Sequence, residues 1–171
     1  AETKPERFEP DWATSLNNYA NRLADDGQHA EALKHAKQAL DILERLALTK
    51  PARFEPDWAT SLNNYANHLA DDGQHTEALI HAKQALDIRE RLALAKPARF
   101  EPDWATSLGN YANRLADDGQ HAEALKHAKL ALDIRERLAQ AKPERFEPDW
   151  ATSLGNYAAF LADDGQHAEA L

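Results

Sequence analysis

Apolar residues recur at Trp12, Leu16, Tyr19, Ala20 and Leu23, in steps of 4, 3, 1 and 3, and the run closes at Gly27. Such steps place the side chains on one face of a helix, whereas a strand would alternate in twos. The same segment returns at Trp58 to Gly73, Trp104 to Gly119 and Trp150 to Gly165. A second pattern follows each copy: Ala32, Leu33, Ala36, Ala39, Leu40, Ile42 and Leu46 form one broad apolar face, with alanines that let another helix approach closely. A first helix (A) and a second helix (B) are therefore predicted in every copy.

The period is 46 residues, read from Pro5, Pro51, Pro97 and Pro143. Repeats run over 4–49, 50–95 and 96–141, with a truncated copy over 142–171, and adjacent full copies differ at six positions. A fixed period of this length signals a stacked array, not a single core. The two prolines of the connector Lys4–Pro10 disfavour helix at the residues before them, so helix A is predicted to start near Pro10, with Asp11 favouring the positive end of its dipole. Gly27 accepts a left-handed cap. Gln28 and Glu31 form an approximate capping box for helix B. That helix is predicted to run to Leu48 or Thr49, before Pro51. A turn this short sets the two helices antiparallel, and neither can bury its face alone.

Leu43 falls near the centre of the helix B apolar arc, yet its counterparts are Arg89 and Arg135. The charge leads to the expectation that helix B outruns helix A here and opens onto water, or onto acids such as Glu55 and Asp57 in the next connector. An exposed pair of that kind contributes at most about 1 kcal/mol.

With Leu16, Tyr19, Ala20, Leu23, Gly27, His29, Ala32, Ala36 and Ala39 in order, the repeat resembles a tetratricopeptide repeat, and GQHAEAL is the closest segment. Departures are Leu16 at a tryptophan-favoured position, His29 at a tyrosine-favoured one, Ala36 at a large aromatic, no proline straight after Ile42, and the length of the unit. The long second helix is similar to the kinesin-light-chain-like subclass and to long repeats in bacterial multi-repeat proteins. The resemblance implies an all-α, right-handed α-solenoid of stacked antiparallel helix pairs, and protein or peptide binding.

In that family helix A lines the concave surface. By position this implies Thr14, Asn17, Asn18, Asn21 and Asp25, then Thr60, Asn63, Asn64, Asn67 and Asp71. The third copy offers Thr106, Gly109, Asn110, Asn113 and Asp117, and the fourth Thr152, Gly155, Asn156, Ala159 and Asp163. These positions lie opposite or beside the apolar stripe. Asparagine is a poor helix former, so three in five residues call for a reason. Its amide matches the N–H and C=O of an extended peptide; alternatively, Asn17 or Asn18 bonds a neighbouring repeat and specifies stacking. No Arg or Lys occupies the lining positions, and the aspartate row points to a neutral-to-basic peptide.

Composition narrows the remaining classes. The net charge is -9, with 20 Lys and Arg against 29 Asp and Glu and no basic block. A nucleic-acid partner is disfavoured. Cysteine is absent, and no apolar run reaches the roughly 18 residues of a membrane span; a cytoplasmic protein is expected. The eight histidines are poorly spaced for metal: His29 and His35 are six apart and face different directions. His29 is expected at the turn and His35 on the outer face. Asp25-Asp26-Gly27 lacks the further acids of a calcium loop. No phosphate loop or nucleophile elbow is present, so neither enzyme activity nor a cofactor is expected. Stacked arrays need polar caps. The truncated copy carries Phe160 where Arg114 stood, so Leu154, Tyr157, Phe160 and Leu161 are candidates for end-to-end association. A self-assembling structural array, a homo-oligomer joined through its ends with no cognate peptide, is the alternative to a peptide-binding scaffold.

Overall fold

A computed structural model of the chain describes residues 4–163. Seven α-helices follow one another among them: α1 (Lys4–Asp25), α2 (His29–Thr49), α3 (Pro51–Asp71), α4 (His75–Ala95), α5 (Pro97–Asp117), α6 (His121–Ala141) and α7 (Pro143–Asp163). Odd-numbered helices are helix A of each repeat and even-numbered ones helix B. The chain divides into two compact units, residues 1–88 and 89–171, and the division falls inside α4. In the first unit α1 packs on α2, α2 on α3, and α1 lies beside α3. In the second, α5 packs on α6 and α6 on α7.

Each A-to-B turn among the described residues is a Schellman cap. Gly27, at φ 76°, donates its N–H to the carbonyl of Ala24 at 2.9 Å, and Gln28 donates to Leu23 at 2.8 Å. Two otherwise orphaned carbonyls are satisfied this way. Gly73 and Gly119, both at φ 79°, repeat the arrangement. Helix B ends at Thr49, as expected. The capping box does not form, because Gln28 makes no side-chain cap bond. In the next repeats the equivalent amides, Gln74 and Gln120, donate to Asp72 and Asp118 at 2.7 and 2.8 Å.

The connector is where the structure departs most from expectation. Helix A starts not at Pro10 but at Lys4, and at Pro51, Pro97 and Pro143 in later copies. One residue, Lys50, Lys96 or Lys142, separates it from the helix before. Pro51 sits at the first helical position, where its missing N–H costs nothing, but Pro56 is inside the helix and deprives it of one bond. Burial offsets that cost. Phe54 is 4% exposed and joins a core with Ala13, Leu16, Ala39, Leu43, Leu46 and Ala47, flanked by Ile42 and Trp58. Phe100 and Phe146 are buried likewise. Ion pairs from helix B to the connector glutamates, Arg45 to Glu9 at 2.8 Å and Arg137 to Glu101 at 3.1 Å, brace the added turns. Helix A is thus 21 residues in α3, roughly 32 Å long.

Candidate functional site

The early start of helix A buries the position of Leu43. Leu43 is 3% exposed and Arg89 6%. Arg89 Nη1 donates to an Asp103 carboxylate oxygen at 2.9 Å, and Asp103 itself is about half exposed. The expected kind of partner is present, since Asp103 is the counterpart of Asp57, but the arginine is not in water. Arg135 meets several acceptors: Nη1 donates to Ser153 Oγ at 2.7 Å and to the Asp149 carbonyl at 3.4 Å, and Nη2 donates to Thr106 Oγ1 at 3.1 Å. Burial pushes its guanidinium pKa down, and Asp149 opposes that.

In the first unit the polar face of helix A divides in two. Asn17 is buried and exchanges hydrogen bonds with Ser61 of α3, at 3.3 and 3.4 Å. Asn21 Oδ1 accepts a hydrogen bond from His68 Nε2–H at 3.1 Å. These two asparagines join neighbouring repeats, and Asn63 is buried as well. Thr14, Asn18, Thr60, Asn67, Asp25 and Asp71 are exposed, and Asn64 half-buried. Between α1 and α3 lies an open pocket of about 230 Å³. Thr14, Asn17 and Asn18 line it from α1, Leu43 from α2, and Asp57, Thr60 and Asn64 from α3.

The threonines share one local geometry. Thr14, Thr60, Thr106 and Thr152 each donate the hydroxyl proton to the proline carbonyl four residues back, at 2.9 to 3.1 Å. The hydroxyl proton is committed to the helix, and the oxygen remains able to accept, as Thr106 does from Arg135. In the second unit Gly109, Asn110 and Asn113 are half-buried, while Asp117 is exposed and forms an ion pair with Arg114 at 3.2 Å, without hydrogen-bond alignment. Asn156 and Gly155 are exposed. The side chain of Asp163 and the stub His167–Leu171 lie outside the described residues.

His68, which stands where Arg22 and Arg114 stand in other copies, is 5% exposed. Burial lowers its pKa, Asp71 opposes the shift, and His29 adds to it. The unfolded chain takes up this proton near pH 6.5 and the folded chain only at lower pH, so between the two values the unfolded state holds more protons. The contribution to stability is complete above about pH 6.5 and is lost as pH falls below it. His68→Gln, which can still donate to Asn21, is expected to flatten the fall in Tm between about pH 6.5 and 5.5. An unchanged slope would assign the acid loss to other groups.

Two features were not anticipated. His35 is half-buried, not on the outer face, with its ring edge-on to Tyr19 at 5.0 Å; His81 with Tyr65 and His127 with Tyr111 repeat the contact at 5.0 and 4.9 Å. The four association candidates also separate. Leu154 is exposed and Tyr157 half-buried, but Phe160 and Leu161 are buried within the second unit. Phe160 occupies the inward position of His68, so an apolar residue there fills the interior and adds nothing to the surface. The exposed large apolar side chains of helix A are instead Phe8, Trp12 and Tyr19 on α1, at 58%, 57% and 52%, along with Leu154 on α7.

No helix among the described residues is long and apolar enough to cross a membrane. Tetratricopeptide-repeat profiles match residues 12–47 and 57–137, together more than half of the chain. No curated protein sequence matches. Among solved structures, a Podosopora anserina protein described as a kinesin light chain with nearly identical TPR-like repeats is 26% identical, covered over 99% of this chain and 72% of that one, with a TM-score of 0.73. BtubC (BKLC) from P. vanneervenii is 20% identical at a TM-score of 0.74, over 94% of this chain and 60% of its own. The apo form of RapI is 18% identical at 0.69, over 95% of this chain and 40% of its own. The last two share the fold, and this chain spans less than two thirds of either. Helix pairing, the glycine-capped turns and the profile matches agree: the chain belongs to the tetratricopeptide-repeat family.

Proposed function

We propose that this chain, a repeat scaffold for protein–protein interaction, holds an extended protein segment along the exposed polar residues of helix A. The pocket between α1 and α3 is the observation that carries this reading: Asn18 and Asn64 present amides at its edge, beside Thr14, Thr60 and Asp57. An exposed amide can donate to a peptide carbonyl and accept from its N–H, so a segment of any sequence gains backbone bonds. Asp25, Asp57 and Asp71 favour a neutral or basic segment over an acidic one. The amides of Asn17 and Asn21 are engaged by Ser61 and His68 of the next repeat, so they hold the stack and leave Asn18 and Asn64 to meet the segment.

A peptide-library pull-down tests the proposal. The Asn18→Ala, Asn64→Ala double variant, with both changes in the wall of the first unit's pocket, is expected to keep its helical content and lose about tenfold or more in affinity for captured peptides, as two lost hydrogen bonds at about 1 kcal/mol each imply. Unchanged affinity in a folded double variant would refute it.

A second reading rests on the α1 face. Phe8, Trp12 and Tyr19 are exposed, whereas their equivalents Phe54 and Tyr65 are buried and Trp58 is partly buried. Association of chains through that face would bury the three rings, and sedimentation of a strict monomer at high concentration would exclude it.

A further inference from the structure

The repeats fill one position in two ways. In the second unit Arg135 reaches from α6 to the polar side of helix A, where its guanidinium meets Ser153 Oγ, Thr106 Oγ1 and the carbonyl of Asp149. In the first unit that position is Leu43, shorter and without a donor. Ser61, the counterpart of Ser153, is satisfied there by Asn17, whose own counterpart in the third repeat is Gly109. The pair Asn17 and Leu43 thus replaces the pair Gly109 and Arg135.

This exchange satisfies the buried serine in both units but leaves the rest of the guanidinium's place open in the first. The space is the 230 Å³ pocket with Leu43 in its wall. The acceptors that surround it remain. Thr14, the counterpart of Thr106, has its proton committed to Pro10 and its oxygen available. Asp57, the counterpart of Asp103 and Asp149, lines the pocket with no cation paired to it among the described residues. Asn18 and Asn64 add side-chain carbonyls.

We infer that this pocket takes the guanidinium of an arginine side chain carried by the bound peptide, which supplies in trans what Arg135 supplies within the chain. This assignment rests on the reading of helix A as a peptide-binding face. The planar fork of a guanidinium has five N–H donors and suits several acceptors at fixed directions; a lysine ammonium offers three from a single point.

The test uses the whole chain and methylguanidinium as probe, followed by amide NMR. Saturable shifts are expected at Thr14 and Asn64. Methylammonium is expected to bind about tenfold more weakly, and Asp57→Asn to weaken methylguanidinium about tenfold. Leu43→Arg is expected to abolish the response while keeping the wild-type Tm, because the chain then fills its own pocket. A non-saturating response, or one that is undiminished in Asp57→Asn, would overturn the inference; since Asp57 is exposed, that variant decides the matter even if Leu43→Arg fails to fold. Library peptides separate the two proposals. Captured peptides that bind equally well after arginine is replaced by alanine would refute the pocket and leave the groove standing. Saturable methylguanidinium binding with no peptide captured would refute the groove, and with it the peptide as carrier of the arginine, and leave only the pocket's recognition of a guanidinium standing.

Discussion

Phe54→Ala is expected to destabilise the first unit by about 3 to 5 kcal/mol, the range for removing a buried phenylalanine. The ring sits among Leu43, Leu46 and Ala47 of α2 and Ala13 and Leu16 of α1, so its loss opens a cavity that three helices border. Arg53 lies over the ring, 4.8 Å from its centroid, and would lose that contact too. A fall in the urea midpoint, with most helical signal retained at low urea, is the expected readout. A change below about 0.5 kcal/mol, the usual size of a surface substitution, would mean that residues 51–56 are a solvated connector after all. The equivalent Phe8→Ala is the internal control, because Phe8 is largely exposed.

The second large effect concerns Arg89. Arg89→Ala is expected to cost about 2 kcal/mol, and Arg89→Leu less than about 1 kcal/mol. Removing the buried stem of the arginine leaves a cavity, whereas leucine is the residue the first repeat uses in the same place. The released Asp103 is half exposed and regains water, so the lost ion pair itself contributes little. Thermal unfolding of the two variants side by side distinguishes packing from charge. Equal losses would make the ion pair, and not the packed stem, the main stabilising contact of Arg89. No loss in either would place Arg89 in solvent.

These two residues mark where sequence reasoning divided. The 46-residue period, the pairing of helices A and B, the glycine caps and the end of helix B were all legible, because each depends on local spacing or on a residue with one conformational use. The start of helix A was not. Phe8 lies four residues before Trp12 and Phe54 four before Trp58, so the apolar stripe does continue backwards; the preference of prolines against helix masked it, and burial of the ring outweighed that preference. At Leu43 the helical wheel indicated an inward position, and the arginines of later copies obscured it. An arginine can be buried when acceptors meet its fork, and the acceptors here belong to helices 14 or more residues away in sequence. The same limit applies to the asparagines. Nothing local to Asn17 distinguishes it from Asn18, yet Ser61, 44 residues on, draws one into the stack and leaves the other exposed. The His35–Tyr19 contact likewise has no local signature.

Amide chemical-shift mapping of a captured peptide on the whole chain tests the central claim most directly. Perturbations centred on Thr14, Asn18, Thr60 and Asn64, with those around Phe8, Trp12 and Tyr19 unchanged, are the expected result. Perturbations confined to Phe8, Trp12 and Tyr19, with the asparagine face silent, would contradict it.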